Sequence, residues 1–347
     1  YNVVVGYEAG NDITTGIQNT IMGSYAGDAL TTGSDNVVMG YAALSNPNAG
    51  NRSIAIGSSA LNAQNAGSAG QNMYNIGVGY NAGGSMTTGT HNTIVGGLAG
   101  DALTDGIENV LIGYAAGGAL TSGGSNVAIG AYALDSEDGH GKNIAIGRAA
   151  LGVQNAGADA YNVAMGYHAG TAVTTGTHNT IVGGLAGDAL ENGARNVAIG
   201  YSALSTEDSG AKNVAVGWKA LELLNYNGDG YNVAMGYNAG AAMTTGIYNT
   251  LIGGLAGDAL TTGNKNVAIG YLALEDQNAG ADAYNTAVGY EAGKEVTTGN
   301  SNTIIGGLAG DALTTGSNNV AIGYLALSTE DSHGRNTAVG YAALILQ

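Results

Sequence analysis

Apolar and polar positions alternate along this chain in short blocks of one design. Each block opens on Asn, runs through three residues that are apolar or Thr, breaks at Gly and reaches Ala three residues later. The frame Asn-x-x-x-Gly-x-x-Ala, with Ser in place of Asn once, occurs twenty times in 347 residues, opening at Asn2, Asn19, Asn36, Ser53, Asn75, Asn92 and so on to Asn336. The usual step is 17 residues; three steps are 19 and one is 22. A fixed short period implies one structural unit stacked along an axis.

Numbering each frame from its Asn gives the positions distinct roles. Positions 2 to 4, as in Val197 to Ile199 or Thr180 to Val182, are β-branched runs bounded by Asn and Gly and predict a short strand. Gly at position 5 permits a backbone corner that a Cβ would obstruct. Ala at position 8 suits a tight inner site. Parallel strands in register would place each Asn over the next, as in other stacked β-structures. The predicted ladder includes Asn19, Asn36, Asn92, Asn126, Asn179, Asn196, Asn249, Asn266, Asn302 and Asn319. The predicted glycine corners include Gly23, Gly40, Gly96, Gly130, Gly183, Gly200, Gly253, Gly270, Gly306 and Gly323. The fold class that follows is all-β: a parallel β-roll or β-helix solenoid of about 20 coils, running through residues 1–347 as one continuous array. The chain opens and closes in mid-pattern, so it is expected to be part of a longer polypeptide.

Two inner positions compensate. Position 9 is Leu in nine frames, for example Leu44, Leu134, Leu204 and Leu274, and Gly in the other eleven. The Gly frames carry their large apolar residue at position 12, as in Leu30, Met86, Leu190 and Leu260. Leu frames usually have a polar residue there, as in Glu137, Gln154, Glu207, Gln277 and Glu330; Leu221 with Leu224 is the exception. A coil of fixed cross-section is expected to have room for about one such side chain.

Composition narrows the function classes. Gly is 62 residues without a Gly-x-y triplet, which excludes collagen, and an apolar fraction of 44% argues against disorder. The net charge of −17 makes nucleic acid an unfavourable ligand. No apolar run is long enough to insert this segment into a membrane. In most frames positions 2, 3 and 4 are all apolar, yet a strand alternates its faces. One face fills the coil; the other would leave an apolar stripe larger than soluble monomers usually expose. The simplest cover is the same stripe on identical neighbours, which predicts a homotrimer or a filament of identical chains.

Asn-Val-Ala-Ile-Gly at Asn126, Asn196, Asn266 and Asn319 resembles the head repeats of YadA-like trimeric autotransporter adhesins, and similar strings occur in phage tail-fibre shafts. The resemblance covers essentially the whole chain. It implies a left-handed β-roll, three chains wrapped together, and display outside a cell, on the cell surface or on a virion. The 17-residue coil is longer than the adhesin head coil, and the neck and coiled-coil stalk of that family are not in this sequence.

Other constellations are weaker. The acidic corners Glu137-Asp138, Glu207-Asp208 and Glu330-Asp331, and the series Asp28, Asp101, Asp188, Asp258 and Asp311, read as a solvated surface; stacked carboxylates would be the route to Ca²⁺. His91 and His178 share a frame position, whereas His140, His168 and His333 read as scattered surface residues. Tyr at position 6 in eleven frames, among them Tyr7, Tyr41, Tyr80, Tyr167, Tyr237 and Tyr290, suits packing between chains, with sugar stacking as the alternative. The Thr-Thr-Gly corners are too irregular for an ice-binding array. Nothing orients Ser, His and Asp as a triad, so an enzyme is not expected and no cofactor is implied. The expected function is a structural fibre or adhesin rod mediating attachment, to a surface glycan or protein receptor, or filament formation. The alternative is a monomeric solenoid binding glycan or ice.

Overall fold

The computed structural model of the chain describes residues 1–329 and 331–345. These fall into two compact units, Tyr1–Thr177 and His178–Gln347. Each unit holds ten three-residue strands: β1 (Val3–Val5) to β10 (Val163–Met165) in the first, β11 (Thr180–Val182) to β20 (Thr337–Val339) in the second. Within each unit, consecutive strands pair in parallel and in register; Ala198 of β12 (Val197–Ile199), for example, lies beside Ala215 of β13 (Val214–Val216). Each unit is thus an all-β parallel solenoid with one strand per coil and a 17-residue period.

In β12 and most other strands the middle residue is buried and its neighbours are not. The interior consists of positions 1, 3, 8, 9 and 12. In the coil of Asn196 these are Asn196, Ala198, Ala203, Leu204 and Glu207, all fully buried. The buried asparagine binds in two directions. Asn196 Nδ2 donates to Gly210 O at 2.8 Å within its own coil, while Asn196 Oδ1 accepts the Asn213 backbone N–H of the next coil at 2.9 Å. The same pair of bonds recurs at Asn19, Asn36, Asn92, Asn249 and Asn302. Asn126 and Asn319 donate to a carbonyl of His instead of Gly, at His140 and His333.

The corner after the strand alternates its N–H directions. Ser202, at position 7, donates back to Gly184 O of the preceding coil at 3.1 Å, and Leu204, at position 9, donates forward to Ala220 O at 3.0 Å. Such alternation needs left-handed backbone: Gly200, Ser202 and Leu204 have φ of 133, 51 and 54°, and Lys212 closes the coil at 62°. Many non-glycine residues share this conformation, and among the described residues none of them is Val, Ile or Thr. That is the expected exclusion, because β-branched side chains tolerate positive φ worst. Gly200 is a glycine for a further reason. A Cβ there would lie 2.2 Å from Gly217 O.

Two expectations need correction. Glu137 and Glu207 are not solvated corners but fully buried residues at position 12, as are Gln64, Gln154 and Gln277. Glu330 lies outside the described residues. The interior therefore holds Leu at position 9 and a polar side chain at position 12 together, and the one-plug rule fails. Position 3 supplies part of the missing compensation: it is Ala beside Leu61, Leu134, Leu204 and Leu274, but Ile or Leu beside Gly27, Gly100, Gly187 and Gly257; Ala164, Ala234 and Ala287 stand beside Gly170, Gly240 and Gly293, in coils that follow a Leu coil. A Cβ on Gly257 would already meet Leu251 Cδ2 at 3.0 Å. The trade also crosses coils, since a Cβ on Gly77 would meet Leu61 Cγ of the preceding coil at 2.6 Å.

Candidate interaction surface

Positions 2 and 4 of the strands point away from the interior. In the second unit Ile199, Met235, Ile269 and Ile305 occupy position 4 and are each more than a third exposed. Met22 and Met165 do the same in the first unit. Because the strands are in register, these side chains form one apolar column in each unit, flanked by Val, Thr or Ile at position 2.

An aromatic column lies beside it at position 6. Tyr7, Tyr41, Tyr80, Tyr167, Tyr237 and Tyr290 are all exposed, and Trp218 takes the same position in the coil of Asn213. Neighbouring rings meet: Tyr201 and Trp218 stack at 4.4 Å, Tyr271 and Tyr290 at 5.7 Å. The second glycine of Gly-Gly-Leu-Ala-Gly lies beside these rings at ordinary contact distance. A Cβ on Gly254 or Gly307 would meet the ring of Tyr271 or Tyr324 at 3.5 and 3.4 Å.

The 19-residue coils add a polar cluster that the spacing of the frames did not reveal. Lys142 Nζ donates to Asp159 Oδ2 at 2.6 Å and to Tyr161 Oη at 3.1 Å. Lys212 does the same with Asp229 and Tyr231 at 2.6 and 2.7 Å, and Lys265 with Asp282 and Tyr284. Lysine hydrogen bonds hold Asp159, Asp229 and Asp282 below the usual carboxylate range. The sequence signal was present: Lys directly before a ladder Asn, then Asp-x-Tyr directly before the next. In the 22-residue coil Arg52 and Tyr74 make the corresponding contact at 2.6 Å. These groups are exposed, so the pairs fix the long corners and add little stability.

The remaining candidates separate. The aspartates of the Gly-Asp-Ala-Leu series are half-buried, and burial raises Asp258 and Asp311. Among the described residues none of them belongs to a group of three ligand atoms close enough to share a cation. Thr87, Thr244 and Thr297 turn their hydroxyls to a carbonyl of the next coil, which removes them from an ice-facing array. His91 is exposed and stacks on Tyr74 at 5.2 Å, and His178 is exposed. His140 is the exception. It gathers with Glu137 and Asp138, their ligand atoms all within 4.8 Å of one another, and it is the one such group of three among the described residues. Burial dominates at the two inner glutamates: it raises Glu137 and pushes Glu207 up to about 7, against the opposing hydrogen bonds of backbone N–H groups. No helix among the described residues is long and apolar enough to cross a membrane. No protein-family model matches the chain, and no curated protein shows significant similarity to it.

Proposed function

We propose that this chain is a structural segment of a fibre or adhesin, displayed outside a cell, on its surface or on a virion, and that identical chains associate through the outer strand face, as a homotrimer. The carrying observation is the column of exposed Ile and Met at position 4, in register along each unit and edged by aromatic rings. A column built from every coil is matched best by another copy of the same column, because the axial repeat of both is then identical. The resemblance to trimeric adhesin head repeats supports the threefold arrangement. Attachment to a surface glycan or protein receptor would be a property of the assembled surface. Catalysis, a cofactor and nucleic-acid binding form no part of this reading.

Sedimentation equilibrium tests it. The chain mass is 34.1 kDa, and the expected species is three times that. Replacing Ile199, Ile269 and Ile305 by Glu should shift the population to monomer without changing the β signal in circular dichroism. A 34.1 kDa monomer at every concentration would sink the proposal.

A second reading, a monomeric glycan-binding solenoid, is favoured by one observation. Trp218 and Tyr201 are exposed and stacked, an apolar platform of the kind that sugar rings use. Trp218 is the single tryptophan. Its fluorescence would respond to glycan bound there, and in an assembled trimer the same emission would shift on dissociation instead.

A further inference from the structure

The coils of Asn126 and Asn196 carry the same Glu-Asp pair at positions 12 and 13 but resolve its burial differently. In the coil of Asn196, Glu207 is buried with both carboxylate oxygens bonded: Oε1 accepts Gly210 N–H at 2.7 Å and Oε2 accepts Tyr226 N–H at 3.3 Å. In the coil of Asn126, His140 stands where Gly210 stands in the other. There Glu137 Oε1 accepts His140 N–H at 3.2 Å, but the buried Oε2 has no hydrogen-bond partner. The buried Nδ1 of His140 has none either, and lies 3.6 Å from Glu137 Oε1. The exposed Asp138 completes the group. Leaving a carboxylate oxygen and an imidazole nitrogen both buried and unbonded is costly.

We propose that Glu137, Asp138 and His140 bind a divalent metal ion of the borderline class, of which Zn²⁺ and Co²⁺ are the probes. One cation would give the imidazole nitrogen and the Glu137 carboxylate a common partner, whereas a proton on the carboxylate would leave the imidazole and Asp138 unused. An imidazole beside two carboxylates suits such an ion; Ca²⁺ takes six to eight oxygens and no nitrogen. Tetrahedral ligands at about 2.1 Å lie about 3.4 Å apart. Glu137 Oε1 and His140 Nδ1, 3.6 Å apart, are already near that separation. Asp138, free at the surface, is the ligand that closes, and it marks the route of entry. The order Glu-Asp-x-His returns at the same frame positions in Glu330, Asp331 and His333, so the motif was written twice.

Titration with Co²⁺, followed by its visible absorption, and Zn²⁺ retained after dialysis test the site. The expected result is an absorption band in the full chain that Zn²⁺ displaces, and retained Zn²⁺ that falls by one equivalent in His140→Gly. That variant installs the residue the chain already uses at Gly210, so folding is preserved. Should it misfold, the surface variant Asp138→Asn should weaken Zn²⁺ by at least the roughly tenfold loss that follows removal of even an outer-shell partner. No Co²⁺ band, or retained Zn²⁺ unchanged by both substitutions, would overturn the assignment.

Discussion

Replacing Asn196 by Ala would orphan two buried backbone groups in different coils, Gly210 O and Asn213 N–H. The expected cost is about 2–5 kcal/mol in a urea denaturation. The ladder has exceptions: the buried Nδ2 groups of Asn143, Asn213 and Asn266 have no hydrogen-bond partner, and in one coil Ser replaces Asn. Ser53 is too short to span its coil, and Gln64 reaches across instead, donating to Ala49 O and Ser53 Oγ and accepting from Asn75. The glycine corner is equally specific. Gly200→Ala combines φ of 133° with a 2.2 Å clash and should cost about 3 kcal/mol, whereas Gly67→Ala, at φ of 69° in open space, should cost about 1 kcal/mol by the same measurement. Glu207 gives a pH signature. Its folded value, about 7, exceeds its ordinary 4.5, so its contribution to stability is full below pH 4.5 and is lost as pH rises through about 7. Glu207→Gln, the residue found at Gln64, Gln154 and Gln277, should raise stability at pH 8 by about 2 kcal/mol and change little at pH 4.5, as read from paired thermal melts. Repetition made the Asn and Gly sites legible, because every coil imposes the same constraint. Repetition did not disclose the burial of Glu137 and Glu207. A charged residue beside an exposed aspartate reads as surface unless its inward position is known.

At the scale of one coil, positions 3, 9 and 12 share a single volume. Gly257→Leu alone should destabilise by about 1–3 kcal/mol through overpacking against Leu251. Adding Leu251→Ala should recover part of that loss, since Ala at position 3 accompanies Leu at position 9 in the coils of Leu204 and Leu274. A double-mutant cycle by denaturation measures the coupling, and strict additivity would refute the shared volume. Reading positions 9 and 12 as a pair caught half of this trade. The other partner is six residues away on the strand, where Ala looks unremarkable. The lysine clusters were hidden for a related reason. They join residues of successive coils, such as Lys212 and Asp229, and the link is visible only once the coils are stacked.

For the whole chain, the array predicts tolerance to loss of complete coils and intolerance to loss of parts. Removing residues 249–301 takes out three coils and seats the strand Thr303–Ile305 where Thr250–Ile252 stood, after the same kind of neighbour. That deletion should keep the β signal and melt within a few degrees of the parent chain, because each coil depends on its nearest neighbours. Deleting half a coil should lower the melting temperature far more, since the cut coil can no longer close or seat its inward residues against its neighbours.

The asparagine ladder also bears on chemical ageing. Asparagine is lost through attack by the next residue's backbone nitrogen on its own side-chain carbonyl. In this fold that nitrogen is engaged: Val197 N donates to Asn213 O at 2.8 Å, and Thr250 N to Asn266 O at 2.8 Å. The following residue is almost always Val, Thr or Ile, whose branched side chains obstruct the ring closure, and water is kept from the site by burial. Gly193 N and Gly228 N are hydrogen-bonded as well, so the contrast rests on the branched neighbour and on burial: a folded chain should age at its exposed Asn-Gly pairs, Asn192-Gly193 and Asn227-Gly228, before its interior does.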